Sequence, residues 1–274
     1  MIDEAVILIA GMGTRLLPYT KTIPKELLPI YDVPSILLLV EEAYNSGIKK
    51  IIFVVTEHNQ DLIKNFFSND KYLNEFLKDK PDKKIKLKRI NNIINNMKFS
   101  YVLQDLKGTY GALYSAKKYI KNDNFIVMYG DDLIDSKEPI TKKLIDSYSK
   151  NHLQQVLVYK EHNLPNVGIA LIKNNKLVDL VPKSETNSKY VIHGRMLLNK
   201  KIFSIKDKMY KHENDEYYLP YALLYFNDIN TIKYDKYYFN IGDKTGYIKA
   251  SIHYAIKDNN KDLKEYINSI KEVK

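Results

Sequence analysis

The chain has 274 residues, 45% of them hydrophobic, which suits one large α/β domain with a substantial core and excludes a disordered protein. It has no cysteine, so disulfides and thiolate metal sites are excluded, and no apolar run approaches the length of a membrane span. The net charge of +10 raises nucleic acid or an anionic membrane as partners, but along the chain the lysines are scattered among Asn, Ile and Tyr rather than forming one basic helix face. A solvated Lys-rich surface around a site for polyanionic nucleotides is therefore expected, with no nucleic acid and no membrane.

Ala5 to Ala10 is an unbroken apolar run, typical of a central strand buried on both faces. It begins so near Met1 that no secretory leader is expected, and a cytoplasmic setting follows as an expectation. The chain must then turn sharply through Gly11-Met12-Gly13-Thr14-Arg15. Gly11 and Gly13 can take positive backbone angles and lack the Cβ atoms that keep a ligand off the main chain. Amide groups in such a turn bind anions, and Arg15 adds a planar, permanently charged fork for phosphate oxygens. Position 16 is Leu where a dinucleotide fingerprint needs its third Gly, and no Gly-Lys-Ser/Thr follows as in a P-loop.

Ser35 is placed to cap a helix to about Ser46, with Gly47 ending it, and Ile51 to Val55 reads as the next buried strand. This order predicts parallel strands joined by a right-handed crossover. Asn59 to Phe67 reads as a helix, and the charged, Asn-rich stretch from Asp70 to Met97 as a helical excursion with loops. Strand three, Phe99 to Leu103, ends at Gln104 before a helix from Gly111 to about Ile120. Strand four, Phe125 to Tyr129, ends in Gly130-Asp131-Asp132. Ligands of open α/β sheets collect beyond the carboxyl ends of the strands, and Gly11, Gln104 and Asp131 all fall at such ends. Gln104 offers a donor and an acceptor side by side for a pyrimidine edge. Asp131 suits Mg²⁺, with water and phosphate oxygens completing an octahedron.

Beyond Asp135 the pattern changes. Thr141 to Asn151 reads as a helix, Val156 to Val158 as a strand, and Val167 to Ile172 with Leu177 to Val181 as an antiparallel hairpin around Asn174-Asn175. Tyr190 to Leu198 reads as a strand, Ile202 to Tyr210 and Glu216 to Phe226 as helices, and Ile229 to Tyr238 as a strand. Lys244 to Lys274 holds one or two amphipathic helices. The expected fold is α/β: a Rossmann-like, mostly parallel central sheet with helices on both faces, plus a mixed α/β subdomain. There is no Gly/Ser-rich or Pro-rich linker, so residues 1–135, 136–243 and 244–274 are read as parts of one domain.

The string Gly11-Met-Gly-Thr-Arg15-Leu-Leu-Pro18, with Thr20-Lys21 and Ile23-Pro-Lys-Glu-Leu-Leu-Pro29, closely resembles the signature of bacterial UTP–glucose-1-phosphate uridylyltransferases. These belong to the wider sugar-1-phosphate nucleotidylyltransferases. The resemblance implies a Mg²⁺-dependent reaction of UTP with glucose 1-phosphate, giving UDP-glucose and pyrophosphate. It implies that Arg15 and Lys25 are catalytic and that Ala10, Gly11, Gly13, Thr14, Glu26, Gln104 and Gly108 bind the nucleotide. It likewise implies that the mixed part binds sugar, with Asp132, Gly168 and Lys183 on the sugar phosphate, and that Asp131 and position 240 hold the metal. A homodimer or homotetramer, in contact through the C-terminal helices, is also implied.

Tyr110-Gly111 departs from the family's usual Gly-x-Gly-His form, and three positions depart in the half implied to bind sugar and the second metal contact: Pro182 replaces a glutamate, Lys189 an asparagine, and Asn240 the second metal aspartate. Asn240 still offers a carbonyl oxygen but no charge, and Asp243 is the nearest carboxylate that could compensate. Two alternatives stay open on these departures. One is the same chemistry with another sugar 1-phosphate or dTTP; the other is a catalytically weak regulatory paralogue binding nucleotide or a sister subunit.

Overall fold

The computed structural model of the chain describes residues 2–161, 164–166, 168–212 and 215–272. Val167, expected to open a strand, and the last two residues of the tail lie outside them.

The first half builds a parallel sheet. β1 (Glu4–Leu8) runs into the glycine loop, which closes on a short ribbon of β2 (Pro29–Ile30) and β3 (Val33–Pro34). α1 (Ser35–Asn45) crosses back to β4 (Lys50–Val55), and α2 (Glu57–Phe66) follows. The charged stretch folds as α3 (Lys71–Phe76), α4 (Pro81–Lys84) and α5 (Lys88–Asn96) before β5 (Lys98–Leu103). α6 (Gly108–Ser115) then leads to β6 (Asn124–Tyr129). The order β5-β4-β1-β6 is all parallel, with Ala5 of β1 opposite Ile51 on one side and Ile126 on the other. Alternate residues feed two cores: Ala5, Ile7, Ile51 and Phe53 one face, Val6, Ile52 and Val54 the other. Burial on both faces is why these runs carry no polar break.

The second half comprises β7 (Asp132–Asp135), α7 (Ile140–Asn151), β8 (Gln154–Lys160), β9 (Ile169–Lys173), β10 (Lys176–Val181) and β11 (Tyr190–Asn199). After a 3₁₀ segment, Lys200–Lys208, come α8 (Leu219–Leu223), β12 (Ile229–Tyr234), β13 (Tyr237–Asn240), α9 (Lys244–Lys257) and α10 (Lys261–Glu272). β11 pairs antiparallel with β6 and carries the sheet on through β8, β12, β10 and β9. Among the described residues the mixed half therefore extends the parallel sheet into one of nine strands and forms no separate main sheet. Asn174 and Asn175 close the β9–β10 hairpin at φ 51° and 58°, the left-handed pair that a two-residue turn requires. No helix among the described residues is long and apolar enough to cross a membrane.

Four sequence expectations shift. Ser35 is not a cap: it is the first helical residue of α1, and its buried hydroxyl donates to the Glu26 carbonyl at 2.9 Å. α6 starts at Gly108, not Gly111. α8 is short because the Tyr217 backbone is held elsewhere, its N–H donating to the Lys107 carbonyl and its carbonyl accepting from Tyr110 N–H. The strand expected from Ile229 to Tyr238 divides, β12 staying in the main sheet while β13 pairs antiparallel with β7, placing Asn240 opposite Asp132.

A buried ion pair ties the two halves together. Arg195 of β11 is fully buried and donates Nε to Glu42 Oε1 at 3.0 Å and Nη2 to Oε2 at 2.7 Å, while the Thr141 hydroxyl donates to the same carboxylate at 2.7 Å. Burial works against a charged Glu42, but Arg195 and Thr141 outweigh it and hold the carboxyl below its usual range.

Candidate active site

The glycine loop is a chain of single 3₁₀ turns, Thr14–Leu16, Tyr19–Lys21 and Lys25–Leu27. Gly13 takes φ 65°, and the Thr20 hydroxyl donates to its carbonyl at 2.8 Å, pinning the turn. Gly11, expected to share that conformation, is not left-handed; a Cβ there would stand 3.5 Å from Lys25 Nζ, so its bare backbone faces the lysine. Ser35 N–H donates to the Leu28 carbonyl at 3.2 Å, which with the Ser35–Glu26 bond fixes the far end of the loop to α1.

Lys25 is thus aimed across the loop and forms a 2.5 Å ion pair with Asp131 Oδ2. Burial works against its charge, but Asp131 and Glu26 outweigh it and the ammonium is strengthened. Glu26 itself is buried at 1% exposure and does not line the cleft. Its Oε1 has no hydrogen-bond partner and lies 3.9 Å from Lys25 Nζ; burial pushes its pKa up to about 8 against the opposing pull of Lys25.

Asp131 and Asn240 are brought together by the β7–β13 ribbon. Ile241 N–H donates to the Asp131 carbonyl at 2.8 Å, and Gly242 N–H to Asn240 Oδ1 at 2.9 Å. A Cβ built on Gly242 would lie 2.7 Å from Asp131 Oδ2, 2.9 Å from Arg15 Nη2 and 3.0 Å from Asn240 Oδ1. A carboxylate, an amide oxygen and a guanidinium therefore converge on the gap that Gly242 leaves. Asp243 does not join them, because its carboxylate accepts from Gly246 N–H at 2.8 Å and caps α9.

A cleft of about 570 Å³ opens beside this cluster. Ala10, Gly11 and Met12 after β1, Thr56 after β4, Gln104 after β5 and Asp131 after β6 all line it, with Lys25, Lys107, Gly108, Thr109, Tyr129, Glu216 and Tyr218. Four parallel strands thus end at one site, as the strand-end rule for open sheets requires. Gln104 Nε2 donates to the Leu106 carbonyl at 2.6 Å, which sets the plane of its amide.

Other expected residues are placed elsewhere. Gly13, Thr14 and Arg15 lie on the loop outside the cleft lining, with Thr14 and Arg15 exposed. Asp132, grouped by resemblance with the sugar-phosphate ligands, is buried at 3% exposure. Its Oδ1 accepts from the Tyr238 hydroxyl and its Oδ2 from Gly194 N–H, each at 2.7 Å, so both carboxylate oxygens are taken by the fold. Lys183 is exposed, its N–H donating to the Asn166 carbonyl at 2.9 Å, and Gly168 takes φ 80° beside it; neither lines the cleft. Thr56 and Tyr129 were legible from the same strand-end rule but escaped the sequence reading. Lys107 and Tyr218 carry no such signal, being delivered by loop packing, whereas Asp215-Glu216 through Leu219 resembles the family's Asp-Glu-x-Gln-Leu helix start.

Behind Asp132 sits a buried histidine. His193 lies 3.8 Å from Asp132 and 3.3 Å from Glu161, against the Tyr238 ring at 4.0 Å. Burial alone would weaken its proton affinity, but Asp132 and Glu161 outweigh it and push the pKa up to about 9. Both His193 and Glu26 therefore hold protons in the folded state that the unfolded chain would release at lower pH. The His193 contribution is complete below about pH 6.5 and lost as pH rises towards 9, and Glu26 opposes folding increasingly between about pH 4.5 and 8. Thermal unfolding should show the melting temperature falling from pH 6 to pH 9, with roughly 3 kcal/mol at stake for the histidine. A melting temperature that is flat across this range would defeat both assignments.

The family model of the nucleotidyl transferases matches residues 4–256. The chain belongs to this family. Over 285 residues this nucleotidyl transferase is 32% identical to UTP–glucose-1-phosphate uridylyltransferase 1 of Staphylococcus saprophyticus, covering 98% of this chain and 99% of the relative. Among solved structures, apo UDP-glucose pyrophosphorylase matches it with a TM-score of 0.86 at 30% identity, covering 94% of this chain and 100% of that one. UDP-glucose pyrophosphorylase complexed with UDP-glucose matches with a TM-score of 0.81 at the same identity and coverage. The likeness thus runs through the parallel half and the mixed half alike.

Proposed function

We propose that this nucleotidyl transferase moves the uridylyl group of UTP onto glucose 1-phosphate, forming UDP-glucose and releasing pyrophosphate. The observation that carries the reading is the convergence of Arg15, Asp131 and Asn240 at the Gly242 gap, with Lys25 paired to Asp131, beside the cleft that holds Gln104, in a chain similar along its length to enzymes named for this reaction.

A phosphate oxygen of the sugar attacks the α-phosphorus of UTP in line as the bond from that phosphorus to the bridging oxygen of pyrophosphate breaks. The demand is to align two anions and offset their repulsion. Gln104 would read the uracil edge, with the backbone of Gly11 and Gly108 closing on the ring. The loop from Ala10 through Gly13 and Thr14 would frame the triphosphate, with the buried Glu26 behind it supporting Lys25. Lys25 would exchange Asp131 for phosphate oxygens, and Arg15 would hold the pyrophosphate as its charge develops. Gly168 and Lys183 would reach the hexose and its phosphate from the mixed half, while Asp132 supports the site from inside the fold.

Asp131 Oδ2 and Asn240 Oδ1 fit Mg²⁺, since both face the Gly242 gap and two oxygens suffice for an ion that takes its other ligands from phosphate and water. Bound there, Mg²⁺ would neutralise phosphate charge and polarise the α-phosphoryl group.

Pyrophosphate release across a panel of nucleotides and sugar 1-phosphates tests the reading. UTP with glucose 1-phosphate should be the best pair, and Asp131→Ala should lower turnover at least about 100-fold. No turnover with any pair, alongside retained UTP binding, would replace this reading with a regulatory one. Asn240→Asp restores a second negative ligand and should lower the Mg²⁺ concentration giving half-maximal rate; an unchanged Mg²⁺ dependence would remove Asn240 from the metal site. Self-association is proposed for α9, where Ile248, Ile252 and Ile256 stand 54%, 41% and 40% exposed along one face, and a monomeric mass in solution would exclude it.

A further inference from the structure

Glu216 and Tyr218 line the same cleft as Gln104, Lys25 and Asp131, and the transfer chemistry leaves both unassigned. Their placement is built. Tyr218, just before α8, has extended backbone, and the side chains on either side of Tyr217 face away from it. Tyr217 turns into the core at 7% exposure, its ring 6.5 Å from that of Tyr110, and its neighbours on either side reach the cleft. The backbone of this segment is fastened to the start of α6: Tyr217 N–H donates to Lys107, Tyr110 N–H to Tyr217, and Leu219 N–H to the Thr109 hydroxyl at 2.9 Å. A Cβ on Gly108, at φ 81°, would stand 2.3 Å from the Tyr217 carbonyl oxygen, so only glycine admits the contact. Glu216 is thereby held to the turn that carries Gly108, next to Gln104.

Tyr218 donates its hydroxyl to Glu216 Oε2, which orients the carboxylate and still leaves it acceptor capacity. The Tyr129 side chain lines the same cleft, while its hydroxyl is buried away from it. An oriented carboxylate with acceptor capacity left over suits adjacent hydroxyls that donate. We infer that Glu216, positioned by Tyr218, accepts hydrogen bonds from a vicinal diol of the substrate. Vicinal hydroxyls enter this reaction on both the ribose and the hexose. The fastening of Glu216 to the Gly108 turn favours the ribose, since that turn adjoins the proposed base pocket. The inference rests on the uridylyl-transfer reading and deepens it, making this wall the one that separates UTP from deoxynucleotides.

The experiment compares kcat/KM for UTP and dUTP, and for glucose 1-phosphate and 2-deoxyglucose 1-phosphate, in the wild type, Glu216→Gln and Tyr218→Phe. Each ratio is taken within one preparation, so a partly misfolded variant does not distort it. Glu216→Gln should lower the UTP preference about tenfold and Tyr218→Phe about threefold, with the sugar ratio unmoved. A shift confined to the sugar ratio keeps the diol and moves it to the hexose. Both ratios unchanged in Glu216→Gln would overturn the inference. If the wild type releases no pyrophosphate, the transfer reading fails by itself. The ratio of UMP to dUMP affinity by calorimetry, in wild type and Glu216→Gln, then decides this inference, an unchanged ratio again overturning it.

Discussion

Lys25→Ala is expected to lower kcat for pyrophosphate release about 10³-fold while the protein stays folded. The loss is large because Lys25 is the cation already directed at the Asp131 corner of the cleft, held there by the Pro24 and Glu26 flanks and a 2.5 Å ion pair. Negative charge gathers on phosphate oxygens during in-line transfer, and a preplaced ammonium stabilises it without reorganisation. The fold should survive because Glu26, with its pKa about 8, can remain protonated when its cationic neighbour is removed, leaving no buried charge stranded. Lys25→Arg should restore little, since a planar guanidinium cannot replace a compact ammonium in the narrow space beside Gly11. Single-turnover rates with saturating UTP check the prediction, and a Lys25→Ala rate within tenfold of wild type would remove Lys25 from the reacting centre.

Arg195→Met is expected to destabilise the fold by about 3–5 kcal/mol. Arg195 is fully buried and is the bidentate partner of Glu42, so its removal strands a carboxylate inside the protein with Thr141 as its remaining side-chain donor. Urea unfolding should show the midpoint falling without a change in slope. The double variant Arg195→Met with Glu42→Leu should recover much of the loss, because an apolar pair of similar volume carries no desolvation cost. A single-variant loss below about 1 kcal/mol would mean that water reaches Glu42 or that it takes up a proton cheaply.

Expectation and structure part at particular residues. The strands were legible because two-sided burial writes itself into consecutive apolar residues such as those of β1 and β4. Helix ends were less so: Ser35 has the composition of a cap, yet its hydroxyl is drawn to the Glu26 carbonyl, a partner that no local pattern announces. Asp131 and Asp132 are adjacent and chemically identical, yet one faces the cleft and the other is locked between Tyr238 and Gly194. The entry into β7 separates them, and β7 was invisible because its four residues begin and end with aspartate.

The sequence by itself determined the parallel sheet, the glycine loop from Gly11 to Pro29 and the family, since each is carried by contiguous residues whose spacing is their signal. Only the tertiary structure decided which distant groups meet. Asn240 reaches Asp131 because β13 leaves the main sheet to pair with β7, and Glu216 reaches the cleft because Gly108 lets the Tyr217 backbone come close. Strand pairing and backbone approach depend on which edges and gaps the rest of the fold leaves open, and that is a property of packing in three dimensions, not of local residue order.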